Sequence, residues 1–156
     1  MPLIKIKTLI QAPIQRCFDL SRSIDLHQIS MKQTNEKAIA GRTSGLIQLG
    51  EQVTWQAKHF GSTQKLTVHI TAFDAPFFFA DELLKGTFKS FRHEHHFKEI
   101  PSGTLMTDFF DFEAPLGFLG QFANQLFLTK YMKKLLQERN QVLQEIAESE
   151  RWKEIL

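Results

Sequence analysis

Six consecutive strand-like runs fill residues 34 to 114, and after Pro115 the periodicity changes to that of one long helix. The runs lie near 35–42, 50–60, 64–74, 77–84, 87–98 and 104–114, parted by turn chemistry at Gly45 and Gly50, Gly61-Ser62, Ala75-Pro76, Lys85-Gly86 and Pro101-Ser102-Gly103. A seventh, LIKIKTLIQ at 3–11, places Ile4, Ile6, Thr8 and Ile10 on one face. A sheet with one apolar face must be covered, and the terminal helix is the only element long enough to cover it. The expected class is therefore α+β: a curved, seven-stranded antiparallel sheet wrapped around a long C-terminal helix, with two short helices after the first strand.

The short helices have start signals. Pro13 opens PIQRCFDLSR, where a missing amide proton costs nothing. Ser23 is placed to cap IDLHQIS by accepting from an orphan amide. In the terminal segment Leu119, Phe122, Leu126, Leu128, Met132, Leu135, Val142 and Ile146 form an amphipathic stripe. Lys130, Lys133, Lys134, Glu138 and Glu145 are its expected solvated face. A helix over 118–148 would be roughly 45 Å long.

Composition removes several function classes. The 156 residues are expected to form one domain, 1–156, with a core large enough to need no disulfide. Nineteen basic and 17 acidic residues leave a charge of +2, with no basic run, so nucleic acid is not an expected partner. Cys17, the single cysteine, falls at helical spacing with Ile14 and Phe18 and reads as a packed thiol. The N-terminus is interrupted by Lys5 and Lys7 and lacks a secretory pattern, and no apolar run approaches the roughly 18 residues that span a bilayer. A soluble cytoplasmic protein without stable membrane insertion is expected. Phenylalanine is the unusual component: fifteen, against one tyrosine and two tryptophans. These rings either fill a core or wall a cavity.

FRHEHHF, residues 91–97, holds three of the six histidines. Strand alternation sets Phe91, His93, His95 and Phe97 on one face and Arg92, Glu94 and His96 on the other. The two phenylalanines mark the first face as buried. The turn near 100–103 folds the next strand back, and the face carrying Met106, Asp108, Phe110 and Phe112 is taken as inward, which brings Asp108 within reach of both histidines. By the same parity Val53, Trp55, Ala57 and His59 face inward, as do Leu66, Val68 and Ile70, with His69 outside. In APFFFADELL, Phe77 and Phe79 share a side, and Phe78 needs cover from a loop or from a second copy in a homodimer.

Three readings of the cluster remain open. The histidines are buried and hydrogen-bonded, or they orient a ligand or move a proton, or they hold a metal. Zinc takes three or four donors, so His59 or Asp108 would have to complete a His-x-His pair. No structural metal and no cofactor are expected. Trp55 reads as wall, because no basic face accompanies it. No activated serine or cysteine and no phosphate-cradling glycine loop is present.

The element order, GLIQLGEQVTWQAKHFG at 45–61 and TLMTDFFDFEAPLGFLG at 104–120 together resemble the SRPBCC superfamily, which includes START-type lipid-transfer domains, aromatic polyketide cyclases and pathogenesis-related plant allergens. The resemblance implies a helix-grip fold with a deep cavity between sheet and terminal helix. The expected partner is then a small, largely apolar ligand: lipid-, polyketide- or aromatic-like. Trp55, Val68, Ile70, Phe79, Phe91, Phe110, Phe122 and Leu126 would supply apolar contact, while His59, His93, His95 and Asp108 orient its polar end. The alternative is a cyclase- or hydratase-type enzyme with His93, His95 and Asp108 as candidate general acid–base groups. A cavity of a few hundred cubic ångströms is expected.

Overall fold

A computed structural model describes residues 3–114 and 123–156. The chain runs β1 (Leu3–Ile10), α1 (Ile14–Ser21), α2 (Ile24–Ser30), a single-turn helix (Lys32–Thr34), β2 (Lys37–Gly41), β3 (Gln52–His59), β4 (Ser62–Asp74), β5 (Phe78–Lys85), β6 (Ser90–Ile100), β7 (Gly103–Glu113), α3 (Ala123–Ala147) and a short final turn (Glu150–Glu154). The strands form one antiparallel sheet in the order β1-β7-β6-β5-β4-β3-β2. Hairpins connect β3 through β7, while α1 and α2 carry the chain from β1 at one edge to β2 at the other.

Local chemistry explains the helix starts. Pro13 precedes the first helical residue, and the Ser23 hydroxyl accepts from the Leu26 amide at 3.1 Å. The α1 face carrying Cys17, Phe18 and Leu20 is fully buried, and Phe18 meets Phe73, Phe79 and Phe97 edge-on at centroid distances of 5.3, 5.5 and 5.5 Å. Burial pushes the Cys17 thiol above its ordinary pKa, as suits a packed group.

α3 packs against β1, α1 and α2, burying Leu128, Leu135, Leu136, Leu143 and Ile146. Its far end is tied down: Arg16 donates to the Ala147 carbonyl at 3.0 Å, and Gln144 donates to the Leu9 carbonyl at 3.0 Å. The expected stripe needs one correction. Leu126 is 62 % exposed and turns away from the sheet, because the buried side passes through Leu128, Leu135 and Leu136. The predicted start at 118, and with it Phe122, lies outside the described residues.

The β5 reading also needs correction. The strand begins at Phe78, so Phe77 sits in the preceding turn and is exposed, leaving Phe79 alone as the inward ring. Phe78 finds its cover within the chain, packing tilted against His96 at a centroid distance of 4.7 Å. A homodimer is not required to cover it.

One glycine is demanded by the sheet. Gly103, in the turn that pairs β6 with β7, has φ of +143°, and a Cβ there would strike the carbonyl oxygen of Ile10. Gly103→Ala is expected to cost about 1–3 kcal/mol through strain and collision, read as a lower urea midpoint. An unchanged midpoint would mean that the Ile10 backbone yields freely.

Candidate functional site

The pairing of β6 with β7 sets His95 opposite Asp108 and His93 opposite Phe110. The parity inferred from Phe91 and Phe97 gives the geometry: His93 and His95 are buried, while Arg92, Glu94 and His96 lie outside in a charged row. The two inward imidazoles lie against each other, tilted by 32°, at a centroid distance of 3.8 Å.

Asp108 is completely buried beneath them. Its Oδ1 accepts from His93 Nε2 at 2.8 Å and from Arg139 Nη1 at 3.4 Å, and its Oδ2 accepts from Asn140 Nδ2 at 2.7 Å. Burial alone would raise the pKa of this carboxyl. The hydrogen bond from His93 and the Arg139 charge outweigh burial and hold it well below the usual range. His93 responds oppositely. Burial and the neighbouring His95 push its pKa down to about 4, against the attraction of Asp108. At neutral pH the pair is thus a neutral imidazole donating to a carboxylate.

His95 stands between two acids. Its Nε2 is 3.0 Å from Oδ1 of Asp81 on β5, and its Nδ1 is 3.3 Å from Asp108 Oδ1. The second approach is off the hydrogen-bonding direction, so Nδ1 is buried without a hydrogen-bond partner. Burial works against ionisation of Asp81, but the His95 hydrogen bond and the charges of His93, His95 and Arg139 prevail and lower its pKa. Donor atoms of Asp81, His93 and His95 all lie within 4.8 Å of one another.

Above this cluster is a cavity of about 190 Å³ between the sheet and α3. Trp55, His59, Val68, Ile70, Phe79, Phe91, His93, His95 and Phe110 all border it. Asp108 does not, because it lies behind the histidines, and Leu126 does not, because it faces solvent. The volume is below the expected few hundred cubic ångströms. Phe88, Phe91, Phe110 and Phe112 pack tilted or edge-on at 5.2 to 5.8 Å, filling one end with rings. Among the described residues, phenylalanines therefore both fill a core, as Phe18, Phe97 and Phe112 do, and wall a smaller space, as Phe79, Phe91 and Phe110 do.

His59 lines the cavity at a distance from the His93–His95 cluster. Its Nδ1 bonds the Tyr131 hydroxyl at 2.8 Å, joining β3 to α3 at the cavity edge, away from the metal-capable group. Burial lowers its pKa.

Sequence reasoning missed Asp81, Arg139, Asn140, Tyr131 and His27. Asp81 is two residues from Phe79, so the parity that turns Phe79 inward turns Asp81 inward as well. Arg139 lies four residues from both Leu135 and Leu143, on the buried stripe of α3, and its charge disguised that placement. His27 stacks on Trp55 at 4.2 Å and bonds Glu36 at 2.7 Å, contacts between elements that spacing does not reveal.

No protein-family model matches the sequence, and no curated protein sequence matches it either. Solved structures do match. TTHA0849 from Thermus thermophilus superposes with a TM-score of 0.71 at 15 % identity, covering 91 % of this chain and 97 % of that one. The major latex-like protein 151 of Panax ginseng gives 0.66 at 15 % identity, over 94 % and 97 %. The di-domain ARO/CYC protein StfQ of the steffimycin biosynthetic pathway gives 0.70 at 9 % identity, over 94 % of this chain and 50 % of that one. These likenesses show the fold, a helix-grip fold of a seven-stranded antiparallel sheet and a long C-terminal helix. No helix among the described residues is long and apolar enough to cross a membrane.

Proposed function

We propose that the protein binds a small, largely apolar ligand in the cavity between sheet and α3, with the ligand's one polar end at Asp81, His93 and His95. The observation that carries this reading is the division of the cavity wall: apolar side chains from β3, β4, β6, β7 and α3 flank the Asp81–His93–His95 cluster, while His59 and Tyr131 form a second polar pair at the cavity edge. Such a division fixes orientation without giving up apolar contact. The volume of about 190 Å³ favours one ring or a short chain over a whole lipid. The structural likeness to the ARO/CYC protein of the steffimycin biosynthetic pathway supports an aromatic or polyketide-like guest. It also supports a second reading, a cyclase- or hydratase-type enzyme. The observation favouring it is the neutral His93, oriented by a buried carboxylate and bordering the cavity, the arrangement of a general base.

Phenol and toluene test the first reading, since they differ by one hydroxyl. Calorimetric titration is expected to give saturable binding of phenol to the wild type. His93→Phe should weaken phenol by about tenfold or more through loss of a polar partner, with toluene little affected. His96→Gln should bind both as the wild type does, because His96 faces outward. Absence of saturable binding by either probe to the folded protein would reject the cavity as a ligand site.

A further inference from the structure

We propose that Asp81, His93 and His95 form a binding site for a divalent transition-metal ion of the zinc class, with Asp108 as the group that orients both imidazoles. The proposal deepens the cavity reading and rests on it for what would occupy the ion's remaining positions.

The geometry is close to that of an ion site. Ligands bound at about 2.1 Å to one ion lie no more than about 4.2 Å apart. The three donor atoms are within 4.8 Å of one another, and His95 Nε2 and Asp81 Oδ1 are already 3.0 Å apart. Small side-chain rotations suffice for the rest. All three residues sit on adjacent strands of the sheet, where Asp81 pairs with His93 across the β5–β6 ladder.

The proton count at His95 points the same way. A neutral imidazole carries one N–H, yet both of its nitrogens face carboxylates, Asp81 at 3.0 Å and Asp108 at 3.3 Å. If Nε2 carries the proton, the Nδ1 lone pair meets Asp108. If Nδ1 carries it, a lone pair meets Asp81. The buried, unpartnered Nδ1 is the visible sign of this conflict. A cation between Nε2 and Asp81 removes it: the proton moves to Nδ1, where a small rotation of the ring aims it at Asp108 Oδ1, 3.3 Å away, while the Nε2 lone pair and Asp81 bind the ion. His93 has already committed Nε2 to Asp108, which leaves Nδ1 for the same ion.

Asp108 thus has the place of the carboxylate that holds metal-ligating histidines in one tautomer. It is itself held by Asn140 and Arg139 and is not free to become a ligand. Asp81 and Asp108 against Arg139 leave the cluster with an excess negative charge, which favours a cation. Two imidazoles and one carboxylate suit zinc, cobalt or iron better than calcium or magnesium. Three protein ligands leave at least one position open, in the cavity that all three residues border. An ion there would take the oxygen of a bound ligand. The expectation of no metal counted two local ligands, and the third is supplied by a different strand.

The test uses the whole chain, stripped with EDTA, desalted and titrated with Co(II) and Zn(II) in the absence of any organic ligand. One ion per chain is expected, with a visible Co(II) d–d band. Asp81→Asn should weaken uptake by about 100-fold or more, as loss of a direct ligand exceeds the 10–100-fold cost of losing an outer partner. His96→Gln should take up the ion as the wild type does. Circular dichroism of each variant separates loss of the site from loss of the fold, and partly exposed Asp81 is the substitution least harmful to folding. No uptake by the wild type, with His95 observed by NMR as an imidazolium shared between the two carboxylates, overturns the proposal. So does uptake undiminished in Asp81→Asn, which would put the ion elsewhere. Phenol binding without metal uptake would reject the metal site alone, and metal uptake without phenol binding would reject the ligand cavity alone.

Discussion

Asp108→Asn is expected to unfold at a much lower urea concentration than the wild type, with a loss of about 3–5 kcal/mol. The substitution keeps the shape of the side chain and removes only its charge. Arg139, itself buried, then loses the carboxylate that offsets its desolvation, and His93 loses a charged acceptor for its Nε2 proton. Removing one member of a buried ion pair costs more than the pair contributes, because the survivor remains buried and uncompensated. Replacing Arg139 with methionine in the Asp108→Asn background should therefore recover part of the loss. A decrease of less than about 1 kcal/mol would place the pair among exposed ion pairs, which contradicts its burial.

Acidification should weaken the fold well before ordinary carboxylates titrate. His93 has a folded pKa of about 4 against an ordinary 6.5. A base with a depressed pKa stabilises the fold as the neutral ring. That contribution is complete above 6.5 and is lost as the pH falls towards 4, amounting to on the order of 3 kcal/mol. Asp108, with its carboxyl held well below 3.8, contributes stability that is complete above that value and lost at still lower pH. His59 is lowered in the same direction and adds to the first loss. Urea midpoints measured with EDTA present should be level above neutrality and fall from about pH 6.5 downwards. His93→Gln should flatten most of that limb. A wild-type midpoint unchanged down to about pH 5 would show that His93 protonates without cost, and so is not desolvated.

Much of the architecture follows from short-range regularities. Alternation in FRHEHHF separates His93 and His95 from His96 because successive side chains on a strand must point to opposite faces, whatever lies nearby. Ser23 caps α2 through an atom three residues from its partner, and the β6–β7 turn fixes the register that sets Asp108 against His95. Such features lie within one strand, one turn or one hairpin, so the sequence itself determines them.

Other features depend on distances between elements. The parity of Phe79 turns Asp81 inward, a signal that the sequence reading did not use, and its meeting with His95 depends on the register of β5 against β6 across the Gly86–Lys89 connection. Leu126 is exposed and Arg139 buried because the rotation of α3 about its axis is set by what it packs against. A stripe of leucines tolerates a charged residue where a buried carboxylate awaits it. The cavity volume belongs to neither helix nor sheet alone. It is the small difference between the space that a curved sheet encloses and the volume of the rings that enter it, and composition constrains only the rings. Periodicity, the order of elements and the parity of β6 are legible in the sequence, because they act over a few residues of backbone. The Asp81–His95 hydrogen bond, the burial of Arg139 and the size of the cavity belong to the tertiary structure, because each depends on the packing of elements that local spacing does not relate.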